Sequence, residues 1–135
     1  MNLLDFLQLP RSFKWGGLNG DDCTTFCASW VLDQMGVDPA AEFRGTYETP
    51  AQAYRIIVAH GGLASLFEHQ VARFGLKRVQ SPSDGDIGII QSPWPVDGNE
   101  ALIGAIRFGP LWASLSPGRV VTTPADFTVA WRLPC

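Results

Sequence analysis

The residues best placed to do chemistry are the pair Asp22-Cys23, approached through Trp15-Gly16-Gly17-Leu18-Asn19-Gly20-Asp21 and followed by Thr24-Thr25-Phe26-Cys27-Ala28-Ser29-Trp30-Val31. Asp22 is a good helix N-cap, because its carboxylate accepts hydrogen bonds from the free amides of a first turn. Cys23 would then open the helix, where unpaired N–H groups and the helix dipole favour a thiolate. A cysteine so placed is a candidate nucleophile. The carboxylates of Asp21 and Asp22 oppose that ionisation, since like charge disfavours a thiolate. The balance predicts an ordinary thiol with an apparent pKa near ~8.5. Cys27, one turn further on between Phe26 and Trp30, reads as a small buried hydrophobe.

Positioning such a cysteine takes a helix with an apolar face, and Phe26, Cys27, Trp30 and Val31 supply one from about Cys23 to Met35, stopped by Gly36. Leu3, Leu4, Phe6 and Leu7 predict a short amphipathic helix halted by Pro10. Arg11 to Gly20 reads as a loop with Phe13 and Trp15 pinned to the core. Asp38-Pro39 signals a turn. Thr49-Pro50 is a cap followed by proline at the first helical position, opening a helix that ends at Gly61-Gly62. Leu63 to Phe74 predicts another, closed by Gly75. From Arg78 onward the chain changes to short extended runs at 78–80, 87–91, 101–108, 111–115, 119–122 and 128–133, separated by Gly, Pro, Ser and Asp as in a meander. Helices first and strands after predicts an α+β fold, with N-terminal helices packed on a curved antiparallel sheet of five to six strands in a single domain spanning 1–135.

At 135 residues, with a net charge of -3 and no Lys/Arg cluster, the chain is not built for nucleic acid. No apolar run approaches the roughly 18 residues of a membrane helix, and the N-terminus has no basic segment followed by an apolar core. Three cysteines without paired spacing predict neither a disulfide framework nor a zinc site, and nothing calls for a cofactor or metal.

These pieces resemble the NlpC-type papain-like cysteine hydrolases, which cut stem peptides of bacterial cell walls. Trp15-Gly16-Gly17 … Asp22-Cys23-Thr24-Thr25-Phe26 is similar to that family's aromatic-Gly-Gly … Asp-Cys-Ser-Gly signature. Gly85-Asp86-Ile87 is similar to its Gly-Asp step into the first central strand. Leu102-Ile103-Gly104-Ala105-Ile106 stands where the family has His-Val-Gly-Ile-Tyr, and Leu111-Trp112-Ala113-Ser114 where it has Ile-His-Ala-Ser. More closely, the chain resembles small proteins encoded in tail modules of phages, prophages and gene transfer agents, through Gly36-Val37-Asp38-Pro39, Gly61-Gly62 and Ala130-Trp131-Arg132. That group tends to lack the histidine.

The resemblance implies Cys23 as a vestigial nucleophile, with Leu102 and Trp112 at the base and orienter positions and Trp15, Gly16, Asp22 and Asp86 around the cleft. Neither Leu102 nor Trp112 can relay a proton, and a cysteine hydrolase needs an imidazole and a group to orient it. His60 is expected to cap a helix end and His69 to face solvent. Asp86, Asp84 and Glu100 are poor bases for a thiol at ordinary carboxylate pKa. The expectation is therefore a non-catalytic tail-tip or baseplate component, localised in the virion after assembly in the host cytoplasm and partnered by other tail proteins. The alternatives are an active peptidoglycan hydrolase using Cys23 with an unexpected base, or a cleft that binds a peptidoglycan fragment without cutting it. Trp94, in Ser92-Pro93-Trp94-Pro95, is the expected interface residue.

Overall fold

The computed structural model describes residues 1–93 and 101–135, so Trp94 and Glu100 lie outside the described residues. Among the described residues four helices precede six strands, the α+β layout expected. Each helix starts where local chemistry allows. In α1 (Leu3–Gln8) the Asn2 side chain caps the Asp5 amide, and the helix ends ahead of Pro10. In α2 (Cys23–Met35) Asp22 and Thr25 form a reciprocal capping box, and Gly36 closes the helix in the left-handed region. Thr49 caps α3 (Pro50–Ala59), which has proline in its first turn. The chain turns through Gly61 and Gly62 into α4 (Leu63–Ala72).

The strands are β1 (Lys77–Val79), β2 (Ile87–Gln91), β3 (Leu102–Phe108), β4 (Leu111–Ser116), β5 (Arg119–Thr123) and β6 (Phe127–Arg132), in sheet order β1-β6-β2-β3-β4-β5. All pairings are antiparallel, and the sheet is open, with β1 and β5 as edges. Only β2 to β5 form the meander read from the sequence. The last strand, β6, instead returns to lie between β1 and β2. Alternation along a strand specifies which face is buried and is silent about the neighbour. A bulge between Ile89 and Ile90 breaks the β2–β6 register, the kind of irregularity that bends a strand.

The pleat divides the sheet into two faces. Ile87, Ile89, Ile106, Leu115 and Trp131 point to the helices and join Phe6, Phe26, Trp30, Val31 and Phe67 in the main core. Ile90, Ala105, Trp112 and Ala130 form a smaller cluster on the opposite face. The two layers meet most closely at Gly104 in β3. A Cβ there would stand 2.9 Å from Phe67 Cζ, 3.0 Å from Cys27 Sγ and 3.2 Å from the Cys23 carbonyl oxygen. Glycine is what lets the first turn of α2 rest on the strand.

The candidate cleft around Cys23

Cys23 is half-buried and lines a cleft of about 840 Å³ between α2, α3, α4 and the start of β3. Its surroundings are fixed by Asp22, which is 1% exposed and fully engaged. One carboxylate oxygen accepts from the Thr24 amide at 3.0 Å and the Thr25 amide at 2.8 Å. The other accepts from the Gly16 amide at 3.2 Å and from the Tyr47 hydroxyl. Gly16, at φ +92°, passes so close to the Tyr47 carbonyl that a Cβ would sit 2.1 Å from its oxygen. The Gly16-Gly17 step thus lets the loop fold against Tyr47 and deliver an amide to Asp22.

Burial pushes the Cys23 thiol up to about 12, with the negative charge of Asp22 adding to the rise. The ordinary value expected from the sequence is therefore exceeded. The helix terminus and its first amides pull the other way and lose to desolvation. Cys27 is buried and its thiol is also raised, again first by burial. Desolvation also raises Tyr47, whose hydroxyl donates to Asp22.

Trp15, Asp22 and Leu102 line the cleft with Cys23, as the sequence positions imply. Gly16 contributes through its bond to Asp22. Leu102 and Gly104 share a face of β3, and Gly104 is the residue packed on the Cys23 turn. The side chain at the expected base position thus lies on the cysteine's side of the sheet, and it is hydrocarbon.

Trp112 is a correction. It pairs with Arg107 in β4, lies over Gly88 and is fully buried in the opposite-face cluster. The cleft-side positions of β4 are instead Ala113, paired with Ile106, and Leu115 in the main core. Matching the sequence segments fixed the strand and missed the face, because a shift of one residue reverses a strand's side chains. Neither cleft-side residue could orient an imidazole.

Asp86 is a second correction. It is 3% exposed, is absent from the cleft lining, and holds Arg132 at 2.9 Å while accepting from the Ser83 amide at 2.8 Å. Its role is to pin the entry of β2 to the end of β6. His60 caps α3, its Nδ1 2.8 Å from the Ile56 carbonyl oxygen, and lies edge-on to Phe43. His69 is exposed on α4, and neither histidine lines the cleft.

Sequence reading missed Arg44. Its guanidinium holds Asp38 at 2.7 Å and Asp21 at 3.1 Å, and donates to the Gly17 carbonyl at 2.8 Å. This network ties the Asp38-Pro39 turn to the glycine loop and occupies one of the two carboxylates expected to act on Cys23. The available signal was Asp38, six residues before Arg44, whereas Asp21 stands 23 residues away.

A family model described as a domain of unknown function, DUF6950, matches residues 5–133, and the chain belongs to that family. No curated protein and no solved structure matches it.

Proposed function

We propose that this protein is a non-catalytic component of a phage or phage-like tail tip or baseplate, on a scaffold resembling the cysteine hydrolases, whose cleft binds and does not cut. One observation carries the loss of catalysis: Cys23, its thiol raised by burial and by Asp22, shares its cleft with Leu102 and with no histidine. A thiol needs a proton acceptor to attack a carbonyl and a proton donor to release the amine. Hydrocarbon supplies neither, and loss of a triad member typically costs on the order of 10⁴-fold in rate. The tail assignment is supported by the resemblance of Gly36-Val37-Asp38-Pro39, Gly61-Gly62 and Ala130-Trp131-Arg132 to tail-module proteins, whose partners would be other tail proteins.

The test is to incubate the purified protein with muropeptides beside a Cys23→Ala control and follow products by mass spectrometry. The expected result is no release from either protein. Release that depends on Cys23 would establish an active hydrolase instead. Absence of the protein from purified particles carrying the neighbouring tail proteins would remove the assembly role.

A further inference from the structure

The lining of the cleft limits the chemistry of what it can hold. Its floor is Cys27, Val31, Phe67 and Ile87, all buried. Its rim carries Tyr54, Val58 and Leu102, which are 67%, 55% and 47% exposed. Tyr54, Ile57 and Val58 follow helical spacing, so α3 turns an apolar face along the cleft, yet none of its ten residues is buried. An amphipathic helix ordinarily sets such a face against a core. Here Ile57 packs against the main core while Tyr54 and Val58 stay exposed beside a concave space within the range of roughly 300–1,000 Å³ usual for small-molecule sites.

Charge is the second restriction. Among the described residues lining the cleft there is no lysine, arginine or histidine, and the one carboxylate, Asp22, has both oxygens engaged by four donors. A ligand carboxylate or phosphate would lose its hydration, meet no cation and face Asp22. Burying an unpaired ion is among the costliest steps in recognition. Also in the lining, Cys23 and Thr24 offer a neutral thiol and a hydroxyl.

We infer that the cleft receives an uncharged amphiphile, its aliphatic body on the Cys27-Val31-Phe67-Ile87 floor and its neutral head beside Cys23 and Thr24. This ligand class rests on the non-catalytic reading of the same cleft. It also sets the site apart from one built for the charged peptides of a cell wall.

Isothermal titration of the full chain at pH 7 with 1-octanol and with octanoate tests it, because the two probes differ only in the head. Octanol is expected to bind saturably, with octanoate at least about tenfold weaker. Leu102→Asp, at an exposed rim position, is expected to abolish octanol binding while leaving the thermal melt intact, and Tyr54→Ala to weaken it. Octanoate binding as tightly as octanol, or no saturable octanol binding up to its solubility limit, overturns the inference. So does octanol binding unchanged in both variants. Muropeptide cleavage with octanol selectivity intact would instead overturn the non-catalytic reading alone.

Discussion

Alkylation of Cys23 is the sharpest probe of the cleft, because its rate follows the thiolate fraction. At pH 7 an unstructured cysteine, with a pKa near ~8.5, is about 3% thiolate. A thiol pushed up to about 12 is ionised to about one part in 10⁵ at that pH, lower by about 3,000-fold. Cys23 lines the cleft but is half-buried, so its absolute rate with iodoacetamide also carries access, and the pH dependence is what reports ionisation. Site-resolved mass spectrometry would follow Cys23 beside a free cysteine peptide from pH 7 to 10. The log of the Cys23 rate should climb by about one per pH unit with no plateau, while the peptide levels off. Asp22→Asn, which keeps a capping side chain and removes the charge, should raise the rate, because loss of a nearby anion favours the thiolate. A plateau near neutral pH, or a rate matching the peptide at pH 7, would refute burial and carboxylate control of this sulfur.

Three further outcomes follow from the packing. Gly104→Ala should lower unfolding free energy by about 1–3 kcal/mol in urea melts, since its methyl would press on the Cys23 carbonyl, Cys27 and Phe67 together. Arg44→Met should cost about 3 kcal/mol or more and increase hydrogen exchange in the 16–22 loop, because Asp21 and Asp38 lose their shared cation. Leu102→His would place an imidazole in the cleft. It should lower the apparent pKa of Cys23 in the alkylation assay without producing muropeptide cleavage, because Ala113 and Leu115 cannot orient the ring.

Local grammar made most of the fold legible. Asp22 before Cys23, Gly36 after Met35 and Pro50 after Thr49 each act within one helical turn, so α2 runs from Cys23 to Met35 as read and α3 begins at the predicted proline. The placement of β6 between β1 and β2 was not legible, because it depends on partners 40 or more residues away, such as Ile87 with Trp131 and Lys77 with Arg132. At the site, Leu102 was placed by the likeness of Leu102-Ile103-Gly104 to a His-Val-Gly segment, and Gly104, two residues on, packs on the Cys23 turn from the same face. Trp112 could not be placed, since register across the β3–β4 hairpin decides its side and Arg107, its partner, carries no sequence cue to that pairing. Asp86 looked like a cleft acid because Gly-Asp precedes a strand. Its cation is Arg132, 46 residues away, and no local pattern announces that pair.

The hydrogen bonds around Asp22 give the Asp-Cys pair a structural reason that does not depend on chemistry at the sulfur. The Asp22 carboxylate caps α2, receives the Gly16 amide and binds the Tyr47 hydroxyl, so it joins three segments whatever the neighbouring thiol does. Removing it would leave a buried phenol and several amides without an acceptor, a penalty of a kind that folding alone selects against. With no cation among the described residues lining the cleft to offset it, that charge adds to burial, the larger cause, in raising the Cys23 thiol. The aspartate that joins the loop to the helix thus also disfavours the Cys23 thiolate. An Asp-Cys helix start reports how the loop and helix fold, while reaction at the sulfur needs a proton acceptor and a group to orient it, brought from elsewhere in the chain.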